Sequence, residues 1–203
     1  MTGSLRPLRD EQIRALDGLR SSLMAGHRRP LMQAPCGFGK TVLGAHIVAG
    51  ALRKGKRVCF VVPALSLIDQ TFDRFVENGI DPSRMGVIQG DHPYRRPQAP
   101  VQIATAQTLA RRDRPDVDVV IVDEAHIRHR AIEAWMVDCG YATKFGRTDE
   151  SDDLGHDGSG PPQEGPQAVK KTGLASIFVG LSATPWSRGL GLLFDDLVKV
   201  TSM

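Results

Sequence analysis

Ala34-Pro35-Cys36-Gly37-Phe38-Gly39-Lys40-Thr41 is the segment from which the architecture of this chain follows. It follows a short apolar segment, Pro30-Leu31-Met32-Gln33, and opens into a helical pattern beginning Val42-Leu43-Gly44-Ala45. Strand, glycine-bearing turn, Lys-Thr and helix together make a phosphate cradle. Backbone N–H groups of such a turn converge on an anion, and the helix dipole favours negative charge at its N-terminus. Gly37 and Gly39 let the backbone curl where a Cβ would intrude. Lys40 can reach β- and γ-phosphates, and the Thr41 hydroxyl can ligate Mg²⁺. The pattern G-x-x-x-x-G-K-[ST] is incomplete, because Ala34 stands at its first glycine. The rest of the chain must therefore decide.

Working outward, apolar runs alternate with helical patterns. A helix is expected over 10–24, with Ile13, Leu16, Leu19 and Leu23 on one buried stripe. Arg57–Val62, Met85–Ile88, Val101–Ala104, Val117–Val122 and Ser176–Leu181 read as strands. Their continuous apolar character suits a parallel sheet covered on both faces. Helices are expected after Pro63, carrying Leu65, Ile68, Phe72 and Phe75, and after Asp123-Glu124-Ala125-His126 to about Val137, carrying Ile127, Ala131, Ala134 and Trp135. A short helix is read through Thr108-Leu109-Ala110. Strands alternating with helices predict one α/β domain over 1–203, with a mostly parallel central sheet flanked by helices. Residues 140–173 are polar and poor in branched apolar side chains, so a flexible, disordered insertion is expected there. Leu190–Val200 is only a short apolar segment in this reading.

The 203 residues are 41% hydrophobic and 24% charged, which fits a globular domain, and the net charge of +3 is compatible with a nucleic-acid partner without requiring one. Basic residues cluster at Arg53-Lys54-Gly55-Lys56-Arg57, Arg95-Arg96, Arg111-Arg112 with Arg114, and Arg128-His129-Arg130; each alone serves equally as a solvated rim. Three cysteines without C-x-x-C spacing argue against a disulfide framework or a zinc site. No apolar run is long enough to span a membrane, and a cytoplasmic location is expected.

A phosphate turn needs a carboxylate at the end of another strand to hold Mg²⁺. Asp123, at the tip of Val119–Val122, is placed for that, and Glu124 beside it can orient or deprotonate a water. An isolated Asp-Glu pair reads more readily as a strand end in solvent. Its partnership with Gly37–Thr41 makes it a site.

At this point the chain resembles superfamily 2 helicases of the DEAD/DEAH-box type, in the phage-type and type III restriction-like group. Ala34–Thr41, Asp123-Glu124-Ala125-His126 and Ser182-Ala183-Thr184 resemble motifs I, II and III, and an alanine at position 34 is ordinary in that group. Leu8-Arg9-Asp10-Glu11-Gln12 resembles the L-R-x-x-Q element. Val62–Leu67 with Gln70 resembles motif Ia, and Thr105–Leu109 a later strand-contacting motif.

The resemblance implies a RecA-like P-loop NTPase domain that uses ATP and Mg²⁺. Pro35, Cys36, Gly37, Phe38, Gly39, Lys40 and Thr41 would bind the nucleotide, with Gln12 on the adenine. Thr41 and Asp123 would hold the metal, and Glu124 would act as base. His126, Ser182 and Thr184 would couple the nucleotide to nucleic acid. Ser66, Gln70, Thr105, Gln107 and Thr108 would touch a nucleic-acid backbone, DNA rather than RNA. Taken singly these five are simply turn formers, and His126 is a surface histidine. The resemblance further implies a second RecA-like domain, in cis or trans, which is not recognised in residues 1–203. The other expectation compatible with the sequence is a non-hydrolysing nucleotide- or nucleic-acid-binding remnant of a decayed helicase gene.

Overall fold

In the computed structural model, residues 5–141, 175–184 and 190–199 are described. The bulk of the expected insertion therefore lies outside the described residues, as do Pro185 and Trp186. Among the described residues, seven strands form one sheet: β1 (Pro30–Gln33), β2 (Val58–Val62), β3 (Met85–Val87), β4 (Val101–Thr105), β5 (Val119–Val122), β6 (Ile177–Ser182) and β7 (Asp196–Lys199). Their order is β3-β4-β2-β5-β6-β1-β7. All six ladders are parallel. Pairs such as Phe60 with Ile103 and Ile121, and Leu31 with Gly180 and Leu197, set the register.

Six α-helices among the described residues accompany the sheet: α1 (Asp10–Met24), α2 (Lys40–Arg53), α3 (Leu67–Glu77), α4 (Ala106–Leu109), α5 (Arg130–Asp138) and α6 (Leu190–Leu193). Alternation along each strand sends side chains to two separate cores. Val58, Phe60 and Val62 pack with residues of α1, α2 and α3, including Leu16, Leu43 and Phe75. Cys59 and Val61 face the other layer, with Leu109, Trp135, Met136 and Leu193 from α4, α5 and α6. Burial on both faces explains why the strands carry no polar alternation.

The edge strand β3 is closed by the segment 88–100. Val87 N–H donates to Tyr94 O at 2.9 Å. The Tyr94 ring stacks on Phe72 of α3, 4.2 Å between centroids. Gln102 Nε2 donates to Arg96 O at 2.8 Å and Ala99 O at 2.9 Å. An edge so covered offers no template for another strand.

Four sequence expectations are corrected. On α1, Ile13 is 44% exposed and Gln12 is the buried residue, at 4%. Leu65 is also exposed and precedes α3, which starts at Leu67. The helix expected after His126 starts later: α5 begins at Arg130, Ile127 is exposed and precedes it, and Ile132, Trp135 and Met136 make the buried face. The short segment after 190 supplies a helix and the strand β7, which pairs with β1. None of the described helices is long and apolar enough to cross a membrane.

Candidate active site

Parallel strands end together, and the loops at their carboxyl edge converge. The turn after β1 and the segment after β5 meet there. Gly37 (φ +77°) and Gly39 (φ +89°) both lie in the left-handed region. A Cβ on Gly37 would meet nothing within 4 Å, so the turn opens to that side. Gly39 N-caps α2 without any side-chain cap. Leu43 N–H donates to Gly39 O at 3.1 Å, so the N–H groups of Lys40, Thr41 and Val42 precede the first intrahelical donor and have no helical acceptor. Pro35, Cys36 and Gly37 are exposed, whereas Phe38 is buried and belongs to the core.

The turn is buttressed from α1. Phe38 O accepts from Gln12 Nε2 at 2.8 Å and from Arg9 Nη2 at 2.6 Å. Gln12 Oε1 in turn accepts the Arg9 N–H at 3.0 Å. The Arg9 guanidinium lies over the Phe38 ring, 5.6 Å from its centroid. Gln12 is thus buried because it braces the turn. Arg9 is a further member of this site; the L-R-x-x-Q spacing already held the signal for it.

Across the carboxyl edge, Lys40 Nζ donates to Glu124 Oε1. Glu124 is the one non-glycine residue with positive φ (+48°) among those described. Such a backbone costs about 1–3 kcal/mol and persists only where its surroundings enforce it. Here Asp123 Oδ1 accepts the Glu124 N–H at 2.9 Å, and Ala125 N–H donates to Leu181 O at 2.9 Å. Burial pushes the Asp123 carboxyl above its ordinary value, opposed by the Glu124 N–H and by Lys40. A desolvated carboxylate beside a threonine-headed phosphate turn is the all-oxygen donor set that suits Mg²⁺.

His126 Nδ1 lies 3.1 Å from Ser182 Oγ and 3.3 Å from Glu124 Oε2. Ser182 Oγ also accepts the Thr184 N–H at 3.1 Å, and Ala34 N–H donates to Ser182 O at 2.8 Å. One hydroxyl therefore touches the segments after β5 and β6, while its own carbonyl anchors the phosphate turn.

The remaining sequence-identified residues stand at the carboxyl ends of β2 and β4. Ser66 and Gln70 are exposed at the start of α3, and Gln107 is exposed on α4. Thr105 is buried: its Oγ1 accepts the Thr108 N–H at 3.1 Å and lies 3.0 Å from Thr108 Oγ1. Its side chain serves the turn.

Residues 6–187 match the family model described as Type III restriction enzyme, res subunit. The chain belongs to that family. Solved structures share the fold of this res-subunit relative. The UvsW helicase from bacteriophage T4 matches with TM-scores of 0.66 and 0.65 in two structures, at 17% identity. These cover 98% and 96% of this chain, and 35% and 60% of the matched chains. The Pyrococcus furiosus Hef helicase domain matches with TM-score 0.59 at 18% identity, covering 95% of this chain and 37% of that one. The chain thus spans about a third to three-fifths of the structures it resembles. No curated protein sequence matches it. Family and fold together make this a res-subunit domain built on the RecA-like sheet that these helicase structures share.

Proposed function

We propose that the chain binds ATP with Mg²⁺ at the carboxyl edge of β1 and β5 and hydrolyses it in response to DNA. The observation that carries this reading is the meeting of Lys40 with Glu124 beside Asp123, across a glycine turn open to solvent. The N–H groups of Gly39, Lys40 and Thr41 and the Lys40 ammonium bind the phosphates. Thr41 and Asp123 would hold Mg²⁺, which neutralises charge on the phosphate oxygens. To reach a phosphate, Lys40 leaves Glu124, and the freed carboxylate then positions or deprotonates the attacking water. Gln12, already braced against Phe38, would read the adenine.

His126, Ser182 and Thr184 would carry the nucleotide state onward, since one rearrangement of Glu124 changes what His126 faces. Ser66, Gln70, Gln107 and Thr108 would contact the nucleic-acid backbone, with Thr105 fixing Thr108; such contacts position a strand without reading its sequence. DNA is the preferred partner: a Sulfolobus solfataricus SWI2/SNF2 ATPase core of the same fold, TM-score 0.58 and 16% identity over 95% of this chain and 37% of that one, is described in complex with double-stranded DNA. A second RecA-like domain, in cis or trans, would complete the cleft with an arginine, a contribution on the order of 10³–10⁵ in rate at related sites.

Titration with a fluorescent ATP analogue and Mg²⁺ tests the core of this reading. Lys40→Ala is expected to lose about 1.5–3 kcal/mol of binding, the worth of a charged hydrogen bond. Unchanged affinity would overturn it. The non-hydrolysing alternative finds no support in a site that retains Lys40, Asp123 and Glu124, and DNA-stimulated turnover with the second domain supplied separates the two.

A further inference from the structure

The basic clusters of the sequence divide once they are placed on the sheet. Arg53, Lys54, Lys56 and Arg57 precede β2 and so lie at the amino edge. Two of them are engaged there: Lys56 Nζ donates to Asp118 Oδ1 at 3.2 Å, and Arg57 Nε to Asp116 O at 2.8 Å. The cluster after α4 stands on the other side. β4 ends at Thr105, between β3 and β2, and its carboxyl end opens on the same edge as Ser66, Gln70 and Lys40.

The turn after β4 keeps a helical course beyond Leu109. Ala110 N–H donates to Ala106 O at 3.0 Å, and Arg111 N–H to Thr108 O at 3.1 Å. Arg111 therefore follows Thr108 by three positions and Gln107 by four, the spacings that share one side of a helical turn. The third arginine is committed elsewhere. Arg114 Nη1 donates to Asp138 Oδ2 on α5, and its guanidinium lies 5.9 Å from the Trp135 ring centroid. That anchorage holds the turn against α5. Arg111 and Arg112 are exposed, and their guanidinium groups have no hydrogen-bond or ion-pair partner among the described residues. Two uncommitted guanidinium forks next to an exposed amide and a hydroxyl match the oxygens of a phosphodiester.

We propose that Arg111 and Arg112 clamp the phosphate backbone of a single DNA strand passing over the carboxyl ends of β4 and β2, beside Gln107 and Thr108. The proposal rests on the nucleic-acid reading above and names the charged contacts that reading lacks. Phosphate contacts carry no sequence information, so the clamp holds any sequence. Exposed Asp113, next in the chain, opposes it and limits its strength.

Fluorescence anisotropy of labelled oligothymidylate, titrated with the chain over a range of salt, is the test. Arg111→Ala with Arg112→Ala is expected to weaken binding on the order of tenfold at low salt. It should also flatten the plot of log affinity against log salt by about 1.4, two single-strand phosphates' worth. Asp113→Asn is expected to tighten binding, and Arg53→Ala with Lys54→Ala to leave it unchanged. Binding of the ATP analogue, unaltered in all of these variants, confirms that they fold. Oligouridylate run in parallel should show the same loss, because the phosphate is shared. If wild type binds but the Arg111/Arg112 pair keeps its affinity and slope, or if the Arg53/Lys54 pair loses as much, the clamp is wrong and the nucleic-acid reading stands. If wild type binds neither oligonucleotide, that reading fails and the clamp with it.

Discussion

Replacing Gly39 with alanine separates two costs that the phosphate turn carries. The first is backbone: φ of +89° is a left-handed conformation that an L side chain adopts at about 1–2 kcal/mol. The second is local. A Cβ at Gly39 would lie 2.8 Å from Gln12 Nε2, too close to remain. The tip of a glutamine ordinarily moves cheaply, but this one is buried and holds two hydrogen bonds, to Phe38 O and from Arg9 N–H. Breaking both adds about 1–3 kcal/mol, at the usual 0.5–1.5 each. Gly39→Ala should therefore destabilise by about 2–5 kcal/mol. Gly37→Ala makes the internal control. It has φ of +77° but open space where the Cβ would go, so only the backbone cost of about 1–2 kcal/mol applies. Guanidinium unfolding with fluorescence and circular dichroism gives both values. A cycle with Gln12→Ala isolates the contact, since the Gly39 change should cost less once the amide is gone. Equal destabilisation by Gly37→Ala and Gly39→Ala would refute the claim that Gln12 braces the turn.

Three further outcomes are expected. Gly86→Ala would place its Cβ 2.4 Å from Arg96 O, so the segment covering β3 must lift; a loss of about 1–3 kcal/mol in thermal unfolding, with greater aggregation, is expected, and a neutral result would contradict that packing. Asp123→Asn keeps an oxygen for the Glu124 N–H but removes a carboxylate whose charge burial disfavours; the melting temperature should rise while Mg²⁺-dependent nucleotide binding falls, and a drop in both would disprove the electrostatic account. Burial pushes the Cys59 thiol from 9.0 to about 12, so a thiol reagent should modify exposed Cys36 in the native protein and Cys59 only on unfolding. The linked sign is that the unfolded chain releases its Cys59 proton first, so stability holds below pH 9.0 and falls between there and about 12, by up to about 1.4 kcal/mol per unit.

The sheet was legible because strands buried on both faces announce themselves by composition alone, as Val58–Val62 and Val119–Val122 do. Helix faces were less legible wherever a polar group does inward work. Periodicity assigns Ile13 to the core, whereas α1 turns Gln12 inward because Phe38 O needs donors. Ile127 looked like the start of a buried helical stripe, but the backbone at Glu124 takes a left-handed turn, and no local pattern in Asp-Glu-Ala-His reveals that. β7 escaped notice for another reason: Asp196–Lys199 has only Leu197 and Val198 to show, and it becomes a strand by lying against β1. The residues around the phosphate turn were readable as types at fixed spacing. The Lys40–Glu124 pair depends on which loops the strand order brings together, which sequence spacing does not encode.

The position of β1 between β6 and β7 has a consequence for how the protein is made. Synthesis delivers the chain from its N-terminus, and β2, β3, β4 and β5 find all their mutual partners within residues 58–122. The strand that launches the phosphate turn is translated first, yet Leu31 has no ladder to join until Gly180, and then Leu197, has left the ribosome. Pairings so distant in sequence form slowly. Through that interval Pro30–Gln33 is an apolar strand with both edges bare, the kind of segment that nascent chains aggregate through. The part of the molecule equipped to hold a nucleotide is, on this order of events, the last to be built.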